Sequence, residues 1–416
     1  MSLAEKSGYK ETEIGWIPDN WVPAQLGSVA SARKTKDVAK KGLPCIELEH
    51  IDSESGRLLG WDNSGTQASI KTAFAKDDVL FGKLRPYLRK YAVAPFDGIC
   101  TTEILAIHPT AGRANNRFLF YLMQGDGVFA TVNALSYGTK MPRVSWTDLS
   151  EIAIGLPPEP EQQKITAILM TVDAKLDVIA RQIAATQTLK QGLMQTLFRV
   201  GVGSQDSANW PTVSLHKVAE VRTGVAKGKK GLKDAVSLPY LRVANVQDGH
   251  LDLGEVKTIE VEAVQVERYA LQAGDVLMTE GGDFDKLGRG DVWEAQISPC
   301  LHQNHVFAVR PDPTKLNSYY LAALAASSYG RQYFLTCAKR TTNLASINSS
   351  QLKAFPVLLP SLEEQVRIAT MVDSVEAKLE ALATKQSHYQ TLKRGLMQKL
   401  LTGEWRVKLD TMPGPV

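Results

Sequence analysis

The sequence predicts a tandem duplication: two α/β (α+β) domains, each followed by one long helix, with the two helices pairing as an antiparallel coiled coil. Three observations carry this. The stretch "QTLKQGLMQTLF", Gln187 to Phe198, returns 203 residues later as "QTLKRGLMQKLL", Gln390 to Leu401. The same offset aligns two longer segments without a gap, "LPPEPEQQKITAILMTVDAKLDVIARQIAATQTLKQGLMQTLF" from Leu156 and "LPSLEEQVRIATMVDSVEAKLEALATKQSHYQTLKRGLMQKLL" from Leu359. Self-similarity at one fixed distance marks a duplicated unit. Both segments also carry apolar residues at alternating steps of four and three.

That stepping defines each helix. Ile165, Leu169, Val172, Leu176, Ile179, Ile183 and Thr186 form the first seam, and Ile368, Val372, Val375, Leu379, Leu382, Gln386 and Tyr389 the second. Positions a and d of a heptad are repeated in this way. The phase is expected to slip afterwards, with Leu189, Leu193 and Leu197, and their counterparts Leu392, Leu396 and Leu400, carrying the stripe on. Prolines precede each helix (Pro157, Pro158, Pro160; Pro360), and glutamates in the first turn suit the helix dipole. A rod of roughly 39 residues is about 58 Å long at 1.5 Å per residue. The competing reading of each stripe is the buried face of a globular domain. Two matched seams in one chain can instead pair with each other, and a return path through one globular domain favours the antiparallel direction.

The repeat extends more weakly into what precedes each helix. "WVPAQLGSVA" matches "WPTVSLHKVA", "DDVLFGKL" matches "GDVLMTEG", "CTTEILAIHP" matches "CLHQNHVFAVRP", and "GTKMPRVSWTDL" matches "TTNLASINSSQL". The offsets drift from one pair to the next, as insertions in loops require. The division is residues 1–155 for the first domain, 156–200 for its helix, 201–356 for the second domain, 357–404 for its helix and 405–416 for a tail. "RVGVGSQDSANWP", from Arg199, reads as a polar linker. Within the domains "DDVLFG", "ILAIH", "LPYLRVANV", "GDVLMT" and "HVFAVR" read as strands. "NRFLFYLM" and "NSYYLAALAASSYGRQYF" read as helices.

Composition narrows the class. The chain has 416 residues, 44% hydrophobic and 22% charged, with a net charge of +4. That balance is ordinary for a globular protein, so any basic surface for nucleic acid must be local. No apolar run reaches the roughly 18 residues of a membrane span. The opening residues lack an apolar signal-peptide core, which argues for the cytoplasm. Cys45, Cys100, Cys300 and Cys337 form no C-x-x-C pair, so neither a zinc ribbon nor a disulfide framework is signalled.

With these features in place, the chain resembles the specificity subunit of a type I restriction–modification system. The resemblance rests on "IGWIPDNWV" near the start and on the paired helices introduced by "LPPEPEQQKI" and "LPSLEEQVRI". It rests also on two intervening domains that carry "FGKLRPYLRKYAV" and "EGGDFDKLGRG". It covers nearly the whole chain, and the twice-used "P-x-x-E-Q" type segment is its most specific part. It implies a non-catalytic, DNA-binding subunit whose two target-recognition domains each read one half of a split double-stranded DNA sequence. The helix pair would act as spacer and as dock for two methyltransferase subunits, which would bring S-adenosylmethionine and DNA methylation. A motor-nuclease subunit can join such a complex. Half-sites read from one face lie about 34 Å apart, and a rigid helix pair would hold that spacing.

Candidate DNA contacts follow from basic segments. "FGKLRPYLRKYA" places Lys83, Arg85, Tyr87, Arg89 and Lys90 together, and Pro86 rules out a continuous helix there. Arginine can fork onto a guanine edge or clamp phosphate, and lysine supplies a point charge. Arg85 is expected at a base edge and Arg89 at a phosphate. The alternatives are a solvated loop and a Tyr87 packed in the core. "RKTKDVAKKG" offers Arg33 and Lys34, and "RTGVAKGKKGLKD" offers Arg222, Lys229 and Lys230, in Gly-containing loops suited to phosphate. Mobile loops with exposed lysines are the competing reading. "SYGTKMPR" adds Tyr137, Lys140 and Arg143. In the second domain "EGGDFDKLGRG" offers Lys286 and Arg289, and "AKRTTN" offers Lys339, Arg340 and Asn343.

No metal or cofactor motif is expected of this chain itself. It has no N-P-P-F/Y loop and no H-E-x-x-H, and "GVAKGKKG" fails the P-loop spacing. One nuclease-like cluster exists, Glu280, Asp283, Asp285 and Lys286, whose carboxylates could hold Mg²⁺. A coiled-coil scaffold that binds only proteins is the third class. Asp173 in "DAK" and Glu376 in "EAK" read as solvated helix faces.

Overall fold

The computed structural model describes residues 7–38, 42–64, 69–138, 140–198, 210–227, 231–282, 287–340 and 345–409. The chain forms two compact units, Met1–Ala180 with Thr384–Val416, and Arg181–Ala383.

In the first unit, a four-stranded antiparallel sheet runs in the order Tyr91–Val93, Val79–Gly82, Ile104–Pro109, Ala30–Ala32. The strand Val79–Gly82 is buried at all four positions, which is why "VLFG" is an unbroken apolar run rather than an alternating one. A five-stranded sheet lies beside it in the order Lys36–Val38, Ile70–Phe74, Gly98–Cys100, Pro44–Ile46, Asp62–Asn63, with one parallel pair in the middle. Helices Asn116–Gln124 and Asp126–Leu135 supply Phe118, Leu119, Val128, Phe129 and Val132 to the core. The second of these was not legible as a helix, because its apolar spacing is short and starts at a Gly. Val22–Gln25 pairs with Ala153–Leu156 and draws the two ends of the domain together around the buried Trp21.

The second unit repeats the plan. Its sheet runs Ala219–Thr223, Val306–Pro311, Val276–Thr279, Gly290–Val292. A three-stranded sheet, Lys257–Glu262, Ala235–Leu241, Leu301–His302, again contains one parallel pair. Two expected elements are cut short. "LPYLRVANV" leaves the sheet after Leu241, because Asn245 bonds the Arg242 backbone at 2.9 Å and the Asp252 carbonyl at 2.8 Å to form a turn. "NSYYLAALAASSYGRQYF" is two helices, Ser318–Ala326 and Ser328–Cys337. Ser327 takes an extended conformation between them and caps the second through Gly330 N–H.

One buried carboxylate anchors each main sheet. Asp78 accepts both Arg33 Nε and Nη2, and Asp275 accepts Arg310 Nε at 2.7 Å and Nη2 at 2.8 Å. The repeated "D-V-L" therefore answers to an ion pair closed inside the domain, though the arginine arrives from a different strand in each copy.

The long helices span Glu159–Leu197 and Leu362–Leu401, 39 and 40 residues. A glutamine fastens each start: Gln162 Nε2 donates to the Arg113 and Pro157 carbonyls, and Gln365 Nε2 to those of Lys315 and Pro360, all near 3.0 Å. Both glutamines are buried, which gives the repeated "E-Q" a physical reason. In the first unit, Ile165 and Leu169 share a core with Met397, Leu400 and Leu401. In the second unit, Met194 and Phe198 share a core with Ile368, Ala369 and Val372. Val172 and Ile179 are buried; Leu176, Val375, Leu379 and Leu382 are half-buried.

The stripe changes step past Thr186 and Tyr389, but not through the leucines expected to carry it. Leu189 is 57% exposed and Leu392 49%. The stripe runs in steps of four instead, through Lys190, Met194 and Phe198 and through Lys393, Met397 and Leu401, with Leu193, Leu197 and Leu396 half-buried beside it. A lysine in the same seam position of each helix hides the period from any apolar count. Asp173 and Glu376 are likewise not solvated faces. Lys393 meets Asp173 at 2.8 Å, and Lys190 meets Glu376 at 2.7 Å.

Candidate nucleic-acid interface

Three segments of the first unit are tied into one corner. Leu84 bridges Arg143, and Arg143 bridges Tyr137 on its other side. Arg85 N–H donates to the Pro142 carbonyl at 2.7 Å, and Val144 N–H to that of Lys83 at 3.1 Å. Pro86, buried, opens a 3-10 turn, Pro86–Leu88, which packs against helix Asp126–Leu135. The turn is bracketed by two arginines in the left-handed region, Arg85 at φ 50° and Arg89 at φ 50°. Non-glycine residues hold that conformation only where their surroundings impose it.

The two arginines have opposite fates. Arg89 Nη1 and Nη2 bond Asp126 at 2.9 and 2.8 Å, Nη2 also bonds the Gln124 carbonyl, and the guanidinium lies 4.4 Å from the Phe129 ring centre. The expected phosphate clamp is thus a rivet between the turn and the helix behind it. Arg85 is exposed and has no hydrogen-bond or ion-pair partner on its side chain. Lys90 is also internal, donating to the Leu48 and Ile51 carbonyls at 2.8 Å. Arg143 is held by Glu103 at 3.1 Å. Arg33 is committed to Asp78. That leaves Lys83, Arg85, Lys140 and, further off, Lys34 and Lys36 as described cations of this unit's basic segments with no side-chain partner. Tyr87 is not in the core: it and Tyr137 are 53% and 59% exposed.

The second unit builds its counterpart from a small sheet. Gly281–Gly282 pairs with Ala345–Ser346, which pairs with Lys339–Arg340. Arg289 is half-buried beside it, with a buried Nε that finds no partner. Arg222 is engaged by the Arg268 carbonyl at 2.7 Å. Lys229, Lys230, Asp283, Asp285, Lys286, Asn343 and the side chain of Arg340 lie outside the described residues. Glu280, the described member of the nuclease-like cluster, is held by His305 at 2.6 Å.

The first unit also has a cleft of about 1110 Å³ between the domain and the helix segments. Its lining carries six basic side chains (Arg57, Lys76, Arg89, Arg117, Lys393, Arg394) and six carboxylates (Asp52, Glu54, Asp77, Asp126, Asp173, Asp177). Those charges cancel, so the cleft carries no excess of either sign, whereas the corner around Arg85 keeps cations without an acidic partner. Sequence reasoning missed the Lys393–Asp173 pair in this lining and its counterpart, Lys190–Glu376, in the second unit. The signal that could have found them was Lys190 and Lys393 recurring in phase with the heptad.

The sequence profile of the type I restriction modification DNA specificity domain matches the chain twice, over residues 18–187 and 207–388. The chain belongs to this family. Each match takes in one domain and most of the helix that follows it. The type I restriction enzyme EcoDI specificity subunit of Escherichia coli is 28% identical over 225 residues, 50% of this chain and 49% of that protein. The chain thus matches about half the length of that curated relative. The MjaVIII specificity subunit of Methanocaldococcus jannaschii is 24% identical over 448 residues, 98% of both chains. Among solved structures, a chain from a study of assembly and conformational transition in a type I restriction–modification system has a TM-score of 0.60. It is 22% identical and covers 94% of this chain and 99% of its own length. The type I specificity fold is therefore the fold of this chain. No helix among the described residues is long and apolar enough to cross a membrane.

Proposed function

We propose that this chain is the non-catalytic subunit that gives a type I restriction–modification assembly its sequence choice. Each domain reads one half of a split site in double-stranded DNA. The observation that carries the reading is the family match in duplicate, with one domain and one helix per match. The long helices pair as an antiparallel coiled coil. Support comes from each unit separately, since the beginning of one helix shares a core with the end of the other. Two methyltransferase subunits bind equivalent surfaces of the repeat and bring S-adenosylmethionine, and motor-nuclease subunits join that complex in the cytoplasm. The chain's own part is to grip phosphate and read base edges, and we assign Arg85, Lys83 and Lys140 to it in the first domain; their lack of an acidic partner supports this.

The test is methylome sequencing of cells with and without the gene. A split motif that vanishes with the gene is expected. Replacing residues 204–356 by another recognition domain should keep one half of the motif and change the other. Loss of both halves in a folded chimera would overturn the modular reading.

A further inference from the structure

Resting on that DNA reading, we propose that the corner of the first domain carrying Tyr87 and Tyr137 stacks on, and partly opens, a base step in its half-site.

Large apolar side chains are concentrated at this corner. Tyr87, Leu88, Leu135, Tyr137 and Met141 are all among the exposed large hydrophobic residues. They lie on the three segments already tied together: the 3-10 turn, the end of the helix that packs on it, and the strand-like stretch bridged to Arg143. An apolar patch on a rigid mount marks a binding surface. Among the described residues neither tyrosine hydroxyl has a hydrogen-bond partner. The mount is stiff because Arg85 and Arg89 hold left-handed backbone on either side of Tyr87 and because Arg89 is riveted to Asp126 and Phe129.

Charge selects the occupant. The acids at this corner are neutralised internally, Glu103 by Arg143 and Asp126 by Arg89. The cations left over are Lys83, Arg85 and Lys140. Exposed rings and a thioether ringed by unpaired cations suit a polyanion with stackable faces, which is DNA.

The full chain, assembled with its methyltransferase subunits, is titrated with duplexes bearing the mapped motif and 2-aminopurine at each adenine in turn. Fluorescence should rise at a step in the half-site read by the first domain. Tyr87→Ala and Tyr137→Ala should abolish the rise and weaken binding about 10-fold or more, with the salt slope unchanged, because stacking releases no counterions. Tyr87→Phe and Tyr137→Phe should keep both. Alanine variants that fold and bind as the parent does would overturn the proposal. So would variants that keep DNA binding but lose a methyltransferase subunit, since the patch would then be a protein dock. If the parent complex binds no DNA, the DNA reading itself falls; if it binds with no local unstacking, only this inference does.

Discussion

Lys393 Nζ lies 2.8 Å from Asp173 Oδ1, deep enough that only 11% of the lysine side chain is exposed. Gln124 Oε1 accepts from the same ammonium at 3.2 Å, and Tyr121 donates its hydroxyl to Asp173 at 2.7 Å. Burial, and then the neighbouring carboxylate, push the Tyr121 hydroxyl up. Asp173 and Glu376 stand 203 residues apart, as do Lys190 and Lys393, so the Lys190–Glu376 pair is the same contact with the helices exchanged. Its lysine is 32% exposed.

The two pairs should therefore differ in weight. Lys393→Ala strands a partly buried carboxylate and an amide, and should cost about 3 kcal/mol. Lys190→Ala, at the wetter pair, should cost at most about 1 kcal/mol. Urea midpoints of the two variants measure this. Equal losses would show that burial does not set the difference.

The seam assignment is tested by leucines. Leu169→Ala empties a fully buried site and should cost about 2–5 kcal/mol, whereas Leu189→Gln should change stability by less than about 0.5 kcal/mol. Leu176→Asp and Leu379→Asp strike half-buried positions and should fall between the two. A destabilising Leu189→Gln would put Leu189 back in the buried stripe.

Gly192 and Gly395 occupy the same repeat position inside the helices, and a Cβ at either would meet nothing within 4 Å. Replacing each by Ala should stabilise its helix by about 0.8–1 kcal/mol. Thermal unfolding of the single and double variants gives the value. A loss of stability would reveal a packing constraint on these glycines.

Arg85 and Arg89 separate binding from folding. Arg85→Ala should weaken DNA binding without lowering stability. If the contact is to phosphate the salt slope falls by about one; if to a base edge, discrimination at one position relaxes by about 1–3 kcal/mol. Arg89→Ala releases Asp126 and uncovers Phe129, and should cost about 1–3 kcal/mol of domain stability. Salt titrations and melts on both variants would show if the roles are reversed.

His302 gives the second unit an acid-sensitive element. Burial lowers its pKa to about 4, from an ordinary 6.5, and its Nδ1–H donates to the Val306 carbonyl at 2.7 Å. The unfolded chain takes up a proton that the fold refuses. Stability is then complete above about pH 6.5 and is lost as pH falls to about 4, by an amount on the order of 3 kcal/mol. His302→Asn should flatten that window in denaturant titrations between pH 7 and pH 4.

The duplication, the long helices and the exposed basic segments were legible in the residues because each is written locally. An apolar period, a repeated string and a proline-broken run of cations need no third dimension. Which cations stay available was decided by the tertiary structure. Arg33, Arg89 and Arg143 look like Arg85 in sequence, but Asp78, Asp126 and Glu103 reach them from other strands and helices. Likewise Lys190 and Lys393 read as breaks in an apolar stripe, since a lysine is tolerated in a seam only where a carboxylate from another segment meets it. The repeat determined that the chain has two equivalent halves. Only the fold decided that a pair of tyrosines stands exposed on one of them, because that depends on what packs behind the turn that carries Tyr87.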